Sequence, residues 1–312
     1  MSRFFKRTEK ANGGVPERPS RDSQALDVER LLETIHKAED DQLAGLESSP
    51  RVPRLEAVLD AVQESPSSAC DVVEFPTERY AQIRVLRSER VFFPENEITP
   101  APPALEAYRS FRARLLRLQT KRRFQTLAVS SSAPNEGKTL TTANLALCCA
   151  QLPQFPVLVV DGDLRTRGVS KLLGHDAAPG LAELLGGTMA CEKAVLATDI
   201  PNLHIVPAGD AIKSPPELFS GRLWKEFIAW CKQEFKLVLV DCPPVLPLAD
   251  FDLISAACEA LLLVVRARVT DREALQKILA HVETTKLIGI SLNSVARGDH
   301  KPYEYYYYPR RK

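Results

Sequence analysis

A segment near the middle of the chain has the residue types and spacing of a phosphate-binding loop. Ser132 is followed, after four residues, by Gly137-Lys138-Thr139, with serine in place of the usual first glycine. Such a loop aims backbone N–H groups at phosphate oxygens, and the next helix adds its positive N-terminal end. The lysine brings a full charge to the phosphates, and the threonine hydroxyl is suited to Mg²⁺. The alternative is a chance Gly-Lys-Thr at a helix start. The predicted nucleotide contacts in this loop are Ser132, Ala133, Pro134, Asn135, Glu136, Gly137, Lys138, Thr139 and Leu140.

Three aspartates follow apolar segments that are typical of buried strands. Asp161 and Asp163 come at the end of PVLVVDGD, and Asp241 ends KLVLVD. Alternation along a strand would place the first two on one side of the chain. Taken singly, each is explained as well by a helix cap or a turn. Together, at the carboxyl ends of strands beside a phosphate loop, they predict a site for Mg²⁺ bound with a nucleotide such as ATP.

Continuous Val, Leu and Ile runs alternate with helical segments through the second part of the chain. Such runs favour a parallel sheet covered on both faces, so the predicted class is a doubly wound α/β fold. Thr270 and Glu273 have the spacing of a capping box, which predicts a helix start at Thr270. The predicted strands are 126–131, 156–161, 203–209, 236–241, 260–267 and 287–293.

Composition limits the possible functions. The 312 residues are 45% hydrophobic and 26% charged, with a formal net charge of +1, which gives no reason to expect nucleic-acid binding. Seven cysteines without a C-x-x-C pair indicate buried thiols of a reducing compartment. The start MSRFFKRTEK lacks the apolar region of a signal peptide, and the run ALLLVV is too short for a membrane span. We therefore expect a cytoplasmic protein.

The first hundred residues differ in character from the rest. Charge, proline and serine are frequent, and two short amphipathic helices are predicted around 26–35 and 55–62. Helices this short need a surface to pack on, so we expect a flexible, partly helical arm over residues 1–100. The predicted folded domain covers 101–300, and a tail covers 301–312.

The tail contains five of the seven tyrosines of the chain. A hydrophobic core does not need such a run, and a chain end is rarely packed tightly enough to use it. Beside a nucleotide-binding motif, the cluster indicates that phosphate is transferred to tyrosine. The alternative is a sticky tail or a strand added to a sheet edge. The tail tyrosines are Tyr303, Tyr305, Tyr306, Tyr307 and Tyr308.

The ordered set of motifs resembles that of bacterial tyrosine kinases. It consists of SSxxPxEGKT, Asp-x-Asp-Leu-Arg, Asp-x-Pro-Pro and the terminal tyrosines, over roughly residues 100–308. That family comprises P-loop autokinases of capsule and exopolysaccharide synthesis, related to the MinD/ParA ATPases. The resemblance implies that Lys138 and Thr139 belong to the Walker A motif and that Asp241 belongs to Walker B. It also implies that Asp161 and Asp163 bind Mg²⁺ and assist the attacking tyrosine hydroxyl.

Further residues gain a role only through this resemblance. Glu106, Arg109 and Arg112 match the family's oligomerisation motif, whereas the sequence alone favours a solvated helix face. Asn293 stands where related ATPases recognise adenine, although an Asn at a strand end is often a turn residue. Asn135 replaces a usual glycine, and because Asn tolerates a positive φ we expect the loop to keep its shape.

The resemblance also implies partners. It implies a ring-shaped homo-oligomer that phosphorylates its tails in trans, and a membrane polysaccharide co-polymerase or chain-length determinant as activator. A cognate tyrosine phosphatase would reverse the reaction, and the kinase would be peripheral at the inner face of the cell membrane. Two alternatives remain: an ATPase switch of the MinD/ParA type, and a scaffold that uses ATP only to assemble.

Overall fold

Parallel strands form the centre of the protein, whose computed structural model describes residues 79–92, 103–210, 214–246 and 249–295. The predicted helices around 26–35 and 55–62 lie outside the described residues, as does the tyrosine tail. The strands are β1 (Ala81–Ile83), β2 (Thr126–Ser131), β3 (Val157–Asp161), β4 (Leu196–Thr198), β5 (Leu203–Val206), β6 (Leu237–Asp241), β7 (Ala260–Arg266) and β8 (Leu287–Asn293). The helices are α1 (Pro103–Arg122), α2 (Lys138–Ala150), α3 (Gly168–Leu173), α4 (Leu181–Leu185), α5 (Cys191–Ala194), α6 (Pro215–Ser220), α7 (Arg222–Glu234), α8 (Ala249–Ala257) and α9 (Arg272–His281).

The eight strands form one sheet in the order β1-β4-β5-β3-β6-β2-β7-β8. Neighbouring strands run parallel except β4 and β5, which are antiparallel. The central strand β6 lies between β3 and β2, with Asp241 in register with Asp161 on one side and Val129 on the other. The carboxyl ends of these three strands therefore meet at one edge, where doubly wound sheets bind ligands. This arrangement confirms the predicted fold class.

Helices cover both faces of the sheet, which explains the continuous apolar runs in the strands. Leu158 and Val160 pack into the core that contains Trp224 and Phe227 of α7. The alternate residue Val159 packs into the opposite core, with Leu145 of α2. Burial of a side chain of this size stabilises the fold by about 1.5–3 kcal/mol. Strands that are buried on both faces require apolar residues at every position.

The long helix α1 packs on α2. Leu115 is its fully buried side chain, and Arg112 donates from its guanidinium to the carbonyl oxygen of Cys148 near the end of α2, at 2.6 Å. Basic residues suit that place because the last carbonyls of a helix lack partners within it. None of the helices in the described ranges is long and apolar enough to cross a membrane.

Residues 79–92 fall within the predicted arm but contact the sheet and its helices. Ala81–Ile83 pairs in parallel with β4 at the edge of the sheet. Val85 and Val91 are buried, and the N–H of Leu86 donates to the carbonyl oxygen of Leu173 at 2.9 Å. This part of the chain therefore packs as the folded domain does, while the division of the chain at residue 100 stays a prediction.

The six predicted strands are present, two of them, 126–131 and 287–293, with the expected bounds. The sequence did not indicate β1 and β4, because three-residue strands carry too few residues to show a period. The predicted capping box was wrong by one residue. Asp271 caps α9, since its side chain accepts from the N–H of Glu273, whereas the hydroxyl of Thr270 bonds to Glu136.

Candidate active site

The phosphate loop connects the end of β2 to the start of α2, as the motif requires. Two residues of the loop have left-handed backbone: Asn135 with a φ of 64° and Gly137 with a φ of 98°. The expectation that Asn135 adopts a positive φ is therefore confirmed. Gly137 is also needed for space, since a Cβ atom there would lie 2.0 Å from Nδ2 of Asn293. The loop thus has the turn that directs backbone N–H groups toward a bound phosphate.

Glu136 holds the loop together from inside. Its carboxylate accepts from the N–H of Ser132 at 2.7 Å, from the Ser132 hydroxyl at 2.6 Å and from the N–H of Ala133 at 3.1 Å. The side chain of Glu136 is buried, while residues 133–135 at the tip of the loop are exposed. Apart from the position of a carboxylate inside the motif, no sequence pattern indicated this role.

Lys138 is the cation of the site. Its Nζ atom donates to Oδ2 of Asp163 at 2.9 Å and lies 3.6 Å from Oδ2 of Asp241. Burial by itself lowers the pKa of Lys138, but the carboxylates of Asp241 and Asp163 outweigh burial and raise this pKa above its ordinary value. The ammonium group is therefore charged throughout the physiological pH range, ready to meet a phosphate.

Asp241 binds the hydroxyl groups of α2. Thr139 donates from Oγ1 to Oδ2 of Asp241 at 2.7 Å, and Thr142 donates to Oδ1 at 3.4 Å. Asp241 is completely buried, which raises its pKa, and the charge of Lys138 opposes that rise. The structure therefore brings together the predicted Walker A threonine and the predicted Walker B aspartate. A hydroxyl and a carboxylate oxygen in contact are the kind of ligands that Mg²⁺ takes beside a nucleotide.

Asp161 has one occupied and one free carboxylate oxygen. Its Oδ2 accepts from the N–H of Ser170 at 2.8 Å and from the Ser170 hydroxyl at 2.6 Å. Its Oδ1 is buried and has no hydrogen-bond partner among the residues that the structure describes. Burial, with a smaller contribution from the charge of Asp241, raises the pKa of Asp161 to about 7. An unpartnered buried oxygen is costly and indicates a place for a ligand that binds carboxylate.

Asp163 takes different partners from Asp161. Strand β3 ends at Asp161, so strand alternation does not extend to Asp163. Its Oδ2 accepts from Lys138, and its Oδ1 accepts from the N–H of Thr166 at 3.1 Å. Burial on its own would raise the pKa of Asp163, but Lys138 reverses the effect and holds this pKa below its ordinary value. Asp163 is therefore ionised and positions the lysine.

Asn293 contacts the loop. Its amide Nδ2 donates to the carbonyl oxygen of Glu136 at 2.9 Å, and its Oδ1 accepts from the N–H of Ser294. The end of β8 therefore lies against the phosphate loop, next to Gly137. Recognition of adenine by Asn293 stays a prediction.

The three residues of the predicted oligomerisation motif lie on α1. Arg109 donates to Glu106 one helical turn earlier, at 2.5 Å, and both side chains are about half exposed. Arg112 instead bonds to the Cys148 carbonyl within the same chain. The sequence did not predict this contact between Arg112 and Cys148. The role of the three residues in oligomerisation stays a prediction.

The assembled groups fit Mg²⁺ bound with a nucleotide. Thr139 and Asp241 are in contact, and Asp161 offers a free oxygen at the same sheet edge. Within the described ranges, no cluster of three or more His, Cys, Asp or Glu side chains forms a ready-made metal cage. A cage is unnecessary, because Mg²⁺ in such sites usually takes one or two carboxylates together with phosphate oxygens and water.

Comparisons with known proteins agree with this geometry. The profile of the AAA domain family (AAA_31) matches residues 125–293. The tyrosine-protein kinase YwqD of Bacillus subtilis is 30% identical over 203 residues, which cover 64% of this chain and 85% of the relative. The tyrosine-protein kinase ptk of Acinetobacter johnsonii is 32% identical over 196 residues, covering 62% of this chain but only 27% of the relative.

A solved structure is also similar. The tyrosine kinase domain of BceF superposes with a TM-score of 0.60 at 25% identity, covering 67% of this chain and 84% of that one. The chain therefore belongs to the AAA domain family and, within it, to the bacterial tyrosine-protein kinases.

Proposed function

We propose that this chain is an ATP-dependent protein-tyrosine autokinase that regulates the polymerisation and export of a capsule or exopolysaccharide. The observation that carries the proposal is the contact of Lys138 with Asp163 and Asp241 at the phosphate loop, with Thr139 bonded to the same Asp241. Phosphoryl transfer requires mainly positioning and neutralisation of charge, and these groups are suited to both.

Nucleotide binding would use the loop and the first turn of α2. The N–H groups of this turn face away from the helix, and the turn contains no acidic residue that would oppose an incoming phosphate. Lys138 would leave its carboxylate partners for the β and γ phosphates, which carry more charge. Thr139 and Asp241, with Asp161 opposite, would hold Mg²⁺, which neutralises charge on the transferred group.

The attacking tyrosine must lose a proton. A free tyrosine hydroxyl has a pKa of about 10, so a nearby base has to accept the proton. Asp161 and Asp163 are the candidates. The Oδ1 atom of Asp161 accepts no hydrogen bond from the described residues, and Asp163 would lose its bond from Lys138 when the lysine turns to the phosphates. Whichever of the two carboxylates does not bind Mg²⁺ would accept the proton.

The proposed acceptors are the five tyrosines from Tyr303 to Tyr308. Tyr303 follows Asn293 by ten residues, which span at most about 35 Å when extended. The end of β8 contacts the phosphate loop, so this reach does not exclude the chain's own site, and we propose entry into the site of a neighbouring copy on the family resemblance. Glu106 and Arg109 are exposed enough to contact that neighbour in a ring. Each phosphotyrosine adds about −1.5 to −2 charges, which would loosen such a ring.

The partners of the kinase and its place in the cell are proposed from the family resemblance. A membrane polysaccharide co-polymerase or chain-length determinant would activate the kinase and hold it at the inner face of the membrane. A cognate phosphatase would remove the phosphates. The chain spans less than a third of the relative from Acinetobacter, which is 27% covered, so these partners are proposed for the whole protein.

The test of the reaction is incubation of the purified chain with Mg²⁺ and ATP, followed by detection of phosphotyrosine. We expect phosphotyrosine on the wild type and none on Lys138→Met or on a chain truncated before Tyr303. ATP hydrolysis without phosphotyrosine, with a peptide of the activating partner added, would support an ATPase switch of the MinD/ParA type instead.

Transfer in trans is tested by mixing two incomplete chains. One is full-length Lys138→Met, which keeps the tail but lacks the lysine. The other is the truncated chain, which keeps the site but lacks the tail. Phosphotyrosine on the Lys138→Met chain supports trans transfer, and its absence, when the wild type is phosphorylated, contradicts it.

A further inference from the structure

Thr270 lies between β7 and α9 and connects that part of the chain to the phosphate loop. Its side chain is buried, with 6% exposed. The hydroxyl donates to Oε1 of Glu136 at 2.5 Å and accepts from the N–H of Arg266 at 2.9 Å. The hydroxyl therefore bonds to both Glu136 and Arg266, and α9 is capped by Asp271 instead.

The partner of Thr270 is the carboxylate that organises the loop. Glu136 accepts from Ser132 and Ala133 through backbone N–H groups and through the Ser132 hydroxyl. It precedes Gly137-Lys138 directly, so a carboxylate lies inside the predicted phosphate-binding loop. Turned inward, the carboxylate shapes the loop. Turned outward, it would repel the phosphates of a nucleotide.

A second contact joins the same two segments. The guanidinium of Arg266 donates to the carbonyl oxygen of Asn135 at 3.3 Å. The connection from β7 to α9 therefore contacts the loop at two consecutive residues, Asn135 and Glu136. Thr270 supplies the buried contact, and Arg266 supplies the exposed one.

We propose that Thr270 is a positioning residue for nucleotide binding: it keeps the Glu136 carboxylate turned into the phosphate loop and away from the nucleotide. The inference rests on the proposed function only in that the loop binds a nucleotide. It does not depend on whether the group that receives the phosphate is a tyrosine.

The test compares Thr270→Val and Thr270→Ser with a control at Thr198, on the full chain. Valine keeps the shape of threonine and removes the hydroxyl, whereas serine keeps the hydroxyl. Thr198 lies on β4, at the far side of the sheet, and is buried to the same degree, with 7% exposed. Its hydroxyl donates to the backbone carbonyls of Ile200 and Leu203. Thr198→Val therefore matches the cost of losing a buried hydroxyl without touching the loop.

The readouts are the Kd for Mg²⁺-ADP and the melting temperature without nucleotide. We expect Thr270→Val to weaken Mg²⁺-ADP binding about tenfold, the size of effect expected when a buried carboxylate loses a donor. Thr270→Ser should stay within about threefold of the wild type. Thr198→Val should lower the melting temperature similarly but leave the Kd within about twofold.

Equal Kd values for Thr270→Val and the wild type overturn the inference, as does an equal loss of affinity in Thr198→Val. A wild type that binds Mg²⁺-ADP but forms no phosphotyrosine removes the proposed kinase activity and leaves this inference standing. A wild type that binds no Mg²⁺-ADP contradicts both.

Discussion

Lys138 and Asp163 form a buried ion pair, with 2.9 Å between Nζ and Oδ2 and side-chain exposures of 9% and 1%. The lysine is thus held by carboxylates, and the two residues of the pair follow different strands. A buried pair of this kind gains little net stability, because desolvation of both charges offsets their attraction. The pair holds the ammonium group of Lys138 at the phosphate loop, where phosphate oxygens can replace its carboxylate partners.

Replacement of Lys138 by Met should abolish tyrosine phosphorylation. The change removes the charge that meets the phosphates and leaves Asp163 and Asp241 without their cation, so we expect a fall of at least about 100-fold in rate. Lys286→Met is the control: Lys286 is also ion-paired, with Glu283, but lies outside the site, and its rate should stay within about twofold. Equal rates in the two variants would contradict the role of Lys138.

The pKa of Asp161 predicts how stability depends on pH. Because burial raises this pKa from 3.8 to about 7, the folded chain binds one more proton than the unfolded chain between those values. The free energy of unfolding should therefore fall by about 4 kcal/mol as the pH rises through this window. Asp161→Asn, measured by urea unfolding without Mg²⁺ or nucleotide, should lack this fall relative to the wild type. Parallel profiles would show that Asp161 titrates normally.

Gly168 should be intolerant of a side chain because of Thr139. A Cβ atom at Gly168 would lie 2.8 Å from Oγ1 of Thr139 and so displace the hydroxyl that bonds to Asp241. We expect Gly168→Ala to lower the rate of phosphorylation about tenfold, because Asp241 would lose the hydroxyl of Thr139 as its donor. In the matched variant Gly289→Ala the added Cβ meets no atom of the described residues within 4 Å, and the rate should not change.

Arg109 and Arg112 should behave differently although both belong to the predicted oligomerisation motif. Arg112 bonds to the Cys148 carbonyl in its own chain, so Arg112→Ala should cost about 1–2 kcal/mol of unfolding free energy. Among the described residues Arg109 forms its ion pair with the exposed Glu106, so Arg109→Ala should leave stability almost unchanged but reduce the mass of the oligomer. Mass photometry and urea unfolding separate the effects. An unchanged oligomer in Arg109→Ala removes that residue from the interface.

Periodicity and motif spacing correctly predicted the six strands and the meeting of the motif residues at one edge of the sheet. Asp161 and Asp241 are paired across neighbouring strands, and Lys138 reaches both acidic segments, as expected from strand ends that meet at one edge. The partner of each carboxylate was not predictable. Asp163 bonds to Lys138, but Asp161 bonds to Ser170, and that choice depends on where the chain turns after the strand ends.

Two further errors have the same physical origin. Thr270 has the spacing of a helix cap, but its hydroxyl donates to the buried carboxylate of Glu136, which lies far away in the sequence. Asp271 caps the helix instead. Ala81–Ile83 carries one partly buried apolar residue, Ile83, and forms a strand only because β4 offers an unpaired edge. Local propensity is weak, and contacts between distant residues decide such cases.

Mapping of phosphate by mass spectrometry, after incubation with Mg²⁺ and ATP, shows whether the chain phosphorylates its own tyrosine tail. We predict phosphate on tyrosines among Tyr303, Tyr305, Tyr306, Tyr307 and Tyr308 in the wild type, and none there in Lys138→Met. Turnover of ATP with these five tyrosines unmodified, in the presence of a peptide of the activating partner, would contradict the prediction.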